Sequence, residues 1–237
     1  MKVALVRIGI DTGSGGIHGP LFKDGTFEYV PIPDGNGIDS RTYSNISGRH
    51  GQKLIEYFPK PKYFKMAHQS IHFDPEFTSF TYGDPTPPKS GLRYLQTGDY
   101  LIFYCGLEGW DYNAKPALYI IGYFEISAAG YANGFTSAQL KELFGENFHV
   151  RHKSIYEKQK DKLVLVKGSR NSRMLSKAVL ISTMGKDRTG KPLKILSPEM
   201  RKIFGDFGGK LSIQRSPTRW VDASFTERTV QFVKSLV

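Results

Sequence analysis

Two apolar stretches near the middle of the chain constrain its fold more than any other feature. Tyr100-Leu-Ile-Phe-Tyr-Cys105 follows the turn Leu95-Gln-Thr-Gly98-Asp99, and Ala117-Leu-Tyr-Ile-Ile-Gly-Tyr-Phe-Glu-Ile126 follows the polar connection Glu108–Pro116. Both are rich in β-branched and aromatic residues and are bounded by glycine, aspartate or proline, the composition of a β-hairpin. Neither approaches the roughly 18 apolar residues that a membrane-crossing helix needs. A hairpin at the centre of a β-rich fold is the expectation.

Further strands and turns extend this picture outward. Residues 2–10 form a short apolar strand that ends in the glycine-rich turn Asp11-Thr-Gly-Ser-Gly-Gly16, and residues 27–33 read as extended. Asp34 to Gln52 is polar and glycine-rich enough to be a long loop, and loops of that length carry function or move. Lys60 to Lys89, with its prolines, aromatics and histidines, is expected to be irregular but packed, with Asp74-Pro75 and Asp84-Pro85 starting turns. Thr136-Ser-Ala-Gln139 has the spacing of a capping box and predicts a helix to Phe144. Lys162–Lys167 reads as a buried strand, and Gly168–Arg173 as a polar turn into Leu175–Ser182. Short helices are expected near 197–205 and 222–236. With no repeat and no low-complexity linker, the chain reads as a single α+β domain over residues 1–237, a strand-rich core with flanking helices and long loops.

Charge divides the chain unevenly. Residues 151–237 carry 20 lysines and arginines against 7 acids, whereas residues 1–150 carry 13 against 15, so the net +11 belongs to the C-terminal part. A basic block that includes Arg215-Ser-Pro-Thr-Arg219-Trp220 suits a polyanion, with a solvated lysine-rich surface as the alternative. Cys105 is the one cysteine. An intramolecular disulfide and a cysteine-based zinc site are thereby excluded, and a buried structural thiol is expected. The N-terminus runs into Asp11 without a cleavable apolar region, so a soluble, cytoplasmic chain with no membrane partner is the reading.

The N-terminal loop concentrates the most chemistry. Asp11, Thr12, Ser14 and His18 supply a carboxylate, two hydroxyls and an imidazole within eight residues, around glycines that allow close backbone approach. No Gly-Lys-Ser/Thr follows, and GxGxxG spacing is missing, which argues against a P-loop and a dinucleotide site. Asp-Thr-Gly-Ser matches the tetrad of aspartic proteases, but no second Asp-Thr-Gly supplies the partner carboxylate that such chemistry needs. Asp11 and His18 remain as candidate acid/base groups, against the alternative that Asp11 simply bonds its own turn.

His72 and Asp74 lie two apart in an extended segment and so share a face. With Asp11, His18 or Asp84 they have the residue types of a histidine-and-carboxylate site, but sequence spacing assigns no metal and names no cofactor. Tyr82 and Asp84 are candidate base-edge contacts. Lys167, Ser169 and Arg173 flank a Gly-Ser turn suited to phosphate oxygens, with Arg215 and Arg219 as forked donors and Trp220 as a stacking surface. Trp110 and Tyr112, on the hairpin connection, are further candidates for stacking.

The segment Gly98-Asp99, the Phe-Tyr strand, and Ile-Ile-Gly-Tyr-Phe-Glu-Ile resemble the barrel hairpin of PUA-like domains, including the EVE and ASCH branches. That resemblance covers about residues 95–126 and implies a PUA-like β-barrel core of a kind that binds modified bases or RNA. A longer resemblance runs through Val6-Arg-Ile-Gly-Ile-Asp11-Thr-Gly-Ser-Gly-Gly-Ile-His18, His72-Phe-Asp74-Pro-Glu-Phe, Thr81-Tyr82-Gly83-Asp84, Val166-Lys167-Gly168-Ser169 and Pro217-Thr-Arg219-Trp220-Val. These blocks, in this order, are similar to the third nucleotide-modification-associated domain family. The resemblance implies a setting in base modification or its recognition. Three readings stay open at this point. One is a nucleic-acid binding protein, DNA or RNA, with a modified base in a pocket. Another is an enzyme acting on a nucleotide or base. The last is an adaptor for an acidic protein. No methyltransferase cofactor loop or zinc-deaminase signature is present.

Overall fold

The computed structural model describes residues 1–214 and 217–236. From the N-terminus the strands are β1 (Val3–Arg7), β2 (Gly19–Leu21), β3 (Ile32–Pro33), β4 (Ile71–His72), β5 (Thr81–Asp84), β6 (Tyr100–Gly109), β7 (Ala117–Tyr131), β8 (Val164–Gly168), β9 (Arg173–Leu180), β10 (Ser182–Lys186), β11 (Pro192–Leu196) and β12 (Arg219–Trp220). The helices are α1 (Lys60–Ala67), α2 (Ser137–Phe144), α3 (Phe148–Arg151), α4 (Lys153–Gln159), α5 (Pro198–Phe204) and α6 (Ala223–Ser235). The α+β class and the strand-rich core expected from the sequence are both present.

The expected hairpin is the spine of the molecule. β6 and β7 pair antiparallel from Tyr100 opposite Glu125 to Leu107 opposite Ala117. β1 runs parallel to β6 on its other side, Val3 opposite Tyr100 and Arg7 opposite Tyr104, and β12 closes against β1. The full path is β12-β1-β6-β7-β8-β5, with β2 continuing along β6 and β9 sharing β7. Tyr100 to Leu107 is buried at every position, which is why β6 is an unbroken apolar run rather than an alternating one. Its Phe103 ring meets Phe124 at 4.6 Å, Phe77 at 5.7 Å and Tyr82 at 5.7 Å. Each such buried ring contributes about 1.5–3 kcal/mol over leaving it in water.

Curvature of this sheet positions the site. Register breaks fall between Phe103 and Tyr104 on β6, and on β7 between Ile120 and Gly122 toward β9 and between Ile126 and Ala128 toward β8. Bulges of this kind bend and twist a sheet locally. Gly122 sits at the bend, where a Cβ would stand 2.6 Å from the Phe77 ring. The bend lets the C-terminal end of β1 and the far strand β5 line one cavity. A 3-10 segment, Pro87–Tyr94, follows β5, and Gly91 within it meets the Trp220 indole of β12.

Helix signals behaved as local chemistry requires. Thr136 Oγ1 accepts from the Gln139 backbone N–H at 3.2 Å, and Gln139 Oε1 accepts from the Thr136 N–H at 2.9 Å, so the capping box forms. The closing helices α5 and α6 lie where expected. Three features depart from expectation. The segment from Lys60, expected to be irregular, begins with α1, whose first turn carries Pro61. Helices α3 and α4 fill the connection before β8. Leu175–Ser182 is not one segment: β9 ends at Leu180, and β10 pairs with β11 as a separate two-stranded ribbon. The ribbon leaves Thr183, Met184 and Lys186 exposed, so its apolar alternation is too weak to see in sequence. No described helix is long and apolar enough to cross a membrane.

Candidate functional site

Where β1 ends, Arg7, Ile8, Gly9 and Asp11 form one wall of a cavity of about 540 Å³, faced by Asp74, Tyr82 and Asp84, with Ser14, Ile32 and Gln214 at its edges. Five of the residues singled out in the sequence thus converge: Asp11, Ser14, Asp74, Tyr82 and Asp84. Arg7 and Gln214 were not anticipated, because an arginine ending an apolar strand carries no signal of what it will face.

Local turn chemistry sets Asp11. Its Oδ1 accepts from the Gly13 and Ser14 backbone N–H groups, both at 2.8 Å, and from the Ser14 hydroxyl at 3.1 Å. Its Oδ2 pairs with Arg7 Nη2 at 3.1 Å. Burial by itself would raise this carboxyl. The Arg7 charge and the turn's hydrogen bonds outweigh it and hold Asp11 below the ordinary aspartate range. The Arg7 guanidinium also donates to the Gln214 carbonyl. Asp11 is therefore both a turn former and one half of an ion pair on the cavity wall.

Across the cavity, Tyr82 on β5 is 3% exposed, and its hydroxyl donates to Asp84 Oδ2 at 3.0 Å. Burial and the neighbouring Asp84 and Asp74 charges push the phenol well above its usual range, so it stays a donor. Asp74 Oδ1 accepts from the Gly83 N–H at 2.8 Å. Burial lifts Asp74 to about 6, against the opposing pull of His149 and the Gly83 bond. Behind this wall Lys89 is buried in the 3-10 segment; desolvation lowers its ammonium to about 8, and the Asp84 and Asp74 charges oppose that fall. Taken together the walls offer a fork of donors, a phenol and the carboxyl groups of three aspartates, Asp11, Asp74 and Asp84.

A histidine cluster backs onto Asp74. His72 on β4, Asp74 and His149 on α3 bring one potential ligand atom each to within 4.8 Å of one another. The His72–Asp74 pair was legible from its spacing. His149 was not, since it lies far along the chain in a helix of four residues. His72 stacks on Phe148 at 3.8 Å, and its Nε2 is buried with no hydrogen-bond partner. Burial holds its imidazole well below the ordinary range, with the His149 and Arg41 charges acting the same way. For His149, burial lowers the imidazole, and Asp74 and Gln159 more than reverse it, leaving it raised.

The other predicted residues are placed differently. His18 does not share the Asp11 cavity: its Nδ1 lies 3.3 Å from Glu108 Oε2, in a separate cavity of about 430 Å³ that includes Thr12, Tyr57 and Trp110. Desolvation and Lys194 lower its imidazole against the pull of Glu108. An acid/base pair of Asp11 and His18 at one reacting centre is therefore not formed. Lys167 donates its ammonium to the Ser79 carbonyl at 2.6 Å, and Arg219 donates to the Ser212 carbonyl at 3.0 and 2.6 Å. Ser169 donates its N–H to the Glu125 carbonyl at 2.6 Å. The Arg173 guanidinium lies 6.0 Å over the Tyr123 ring. Trp220 packs at Gly91 and pairs with Ala4, and its half-buried ring lines a small cavity with Lys2 and Tyr94, away from the Asp11 cavity. Arg215 lies outside the described residues. Lys167, Arg173 and Arg219 are thus held by carbonyls and a ring, while other cations of the basic block, such as Arg170, Lys177 and Lys186, are exposed.

Different cations stand beside the cavity. A groove of about 450 Å³ runs between the Gly13–Gly16 turn and α1, where Lys62 and Lys65 project. Lys62 donates to the Gly16 carbonyl at 2.6 Å. Ser14 lines both this groove and the cavity, so the two adjoin.

Fold and site define an α+β protein with a bent central sheet, a polar cavity between its first strand and its far edge, and a lysine-bearing groove alongside. The chain belongs to the nucleotide modification associated domain 3 family, whose sequence profile matches residues 2–235. It is similar in structure to human THYN1 crystallised in complex with 5-methylcytosine-containing DNA, with 15% sequence identity and a TM-score of 0.32 over 100% of this chain and 97% of that one. No curated protein matches it.

Proposed function

We propose that the protein binds DNA and takes one base, in modified form, into the cavity between β1 and β5. The observation that carries this reading is the cavity itself. A nucleobase edge presents donors and acceptors in a plane, and here the Arg7 guanidinium, the Asp11 and Asp84 carboxylates and the Tyr82 hydroxyl meet around a space large enough for a flipped base. Family membership sets the context as nucleotide modification. The net +11 charge supplies the long-range attraction to a polyanion, and Lys65, exposed in the adjoining groove, is a phosphate contact. Arg7 orients the base edge, Asp11 holds Arg7, and Asp84, oriented by Tyr82, accepts from exocyclic donors. Catalysis by Asp11 gains no support, because its carboxylate is already held by Arg7 and its own turn.

Fluorescence anisotropy tests this with labelled duplexes, unmodified or carrying one 5-substituted cytosine, across a salt series. Affinity should fall as salt rises, and Lys65→Ala should flatten the log–log slope by about 1. Arg7→Met should remove discrimination between the duplexes and leave the slope unchanged. Affinity independent of salt, or equal discrimination with and without Arg7, refutes the proposal.

A further inference from the structure

We propose that His72, Asp74 and His149 form a binding site for a divalent first-row transition metal ion, at the back wall of the cavity. The three residues come from β4, the segment after it, and α3, and their donor atoms lie within 4.8 Å of one another. Ligands held about 2.0–2.1 Å from one ion stand about 3–4 Å apart, so a shift on the order of 1 Å completes the set. His149 Nε2 and Asp74 Oδ2 are already at 3.8 Å, too far for a hydrogen bond and suited to two ligands of one ion.

The surroundings are arranged as for ligands. Gln159 Oε1 is an acceptor, and it lies 2.7 Å from His149 Nδ1. The Nδ1 of His149 donates to it, and Nε2 faces Asp74 Oδ2. A ring nitrogen and a carboxylate oxygen so placed share one cation, a proton in the metal-free protein or a metal ion when one is bound. A ligating histidine is oriented in just this way, by giving its other N–H to a carbonyl oxygen. His72 adds the independent observation: its buried Nε2 has no partner at all, and an unsatisfied buried nitrogen costs free energy that a metal bond would recover. Gly83 makes the approach possible, since a Cβ there would stand 2.8 Å from His149 Cδ2. The nearby guanidinium groups are held by other carboxylates. Arg41 is engaged by Asp39 and Glu76, and Arg151 by Asp39. Two imidazoles and one carboxylate match zinc, iron(II) or manganese(II) rather than magnesium or calcium, which prefer all-oxygen sites. Because Asp74 also lines the cavity, an ion it holds is within reach of a molecule there.

The test uses the full chain stripped of metal, without DNA, so that its outcome is separate from that of the base-binding proposal. Zn²⁺ is titrated by calorimetry and by competition with a chromophoric chelator, and Co²⁺ is added to read the visible d–d bands of imidazole-bound cobalt. The proposal expects one equivalent of Zn²⁺, cobalt bands, and loss of both in His72→Gln and Asp74→Asn. Gln159→Ala, which keeps all three ligands and serves if the ligand variants do not fold, should weaken Zn²⁺ by about 10- to 100-fold. Lack of stoichiometric Zn²⁺ binding by the parent protein overturns the proposal. So does affinity that is unchanged in folded His72→Gln, or in Gln159→Ala when His72→Gln does not fold.

Discussion

Tyr82→Phe probes the cavity wall with the least disturbance to the fold. The substitution keeps the ring, and so keeps its packing at 5.7 Å from Phe103, and removes only the hydroxyl that donates to Asp84 Oδ2 at 3.0 Å. A hydrogen bond to a charged acceptor is worth about 1.5–3 kcal/mol. Asp84 retains the Thr86 N–H at 2.7 Å, so a loss of about 2 kcal/mol is expected rather than the cost of a bare buried charge. For a chain of this length that lowers the melting midpoint by about 4–8 °C. Urea unfolding of Tyr82→Phe, Asp84→Asn and the double variant closes a cycle. In the Asp84→Asn background the hydroxyl faces a neutral amide, its loss should cost about 1 kcal/mol, and the coupling energy should be about 1 kcal/mol. Freed from Tyr82, Asp84 no longer holds its direction toward the cavity, and affinity for the preferred duplex should fall about tenfold. Equal cost of the hydroxyl in both backgrounds, to within about 0.5 kcal/mol, refutes the claim that Tyr82 acts through Asp84.

Burial raises the Cys105 thiol to about 12, whereas in the unfolded chain it ionises near 9. The folded pKa is the higher one, so its contribution is intact below pH 9 and is lost as pH climbs toward 12. Wild type should therefore lose about 2 kcal/mol relative to Cys105→Ala between about pH 8 and 10.5, measured by urea unfolding, and the native thiol should resist Ellman's reagent. Asp39 behaves in the opposite sense: burial would raise it, but the Arg41 hydrogen bonds and charge, joined by Arg151, bring it down to about 2. Its stabilisation is present above about pH 4 and lost as pH falls through 2, so Asp39→Asn should cost about 2 kcal/mol at neutral pH and nothing near pH 2 in the same assay. Thr136→Ala breaks the reciprocal cap of α2 and should cost about 1 kcal/mol, with Thr136→Ser restoring most of it in thermal melts.

Features that depend on a few neighbouring residues could be seen in the sequence. The unbroken apolar run of β6, the hairpin with β7, the Thr136–Gln139 cap, the Asp11 turn and the buried Cys105 all follow from side-chain character and spacing over short stretches. Local sterics and backbone hydrogen bonding act at that range. The order of the blocks from Val6 to Trp220 likewise carries the resemblance to the family. What the basic block does was not legible, because a lysine's role depends on which carbonyl it meets. Lys167 is bound by Ser79, 88 positions away in the chain, and cations from α1, in the near-neutral first part, stand beside the cavity instead.

Convergence was decided by tertiary structure alone. Asp11 and His18 lie seven residues apart and open into different cavities, while Asp74 and His149 lie far apart in sequence and stand 3.8 Å from each other. Gly83 of β5 brings Asp74 and His149 together, bonding the first through its N–H and packing against the second. The same packing removes water from Asp74, Lys89 and Tyr82 and so sets their proton affinities. Sequence determined which chemical groups this protein owns and which local elements carry them. Long-range packing determined which groups meet and how dry they are, because distance and desolvation are properties of the assembled core and not of any segment within it.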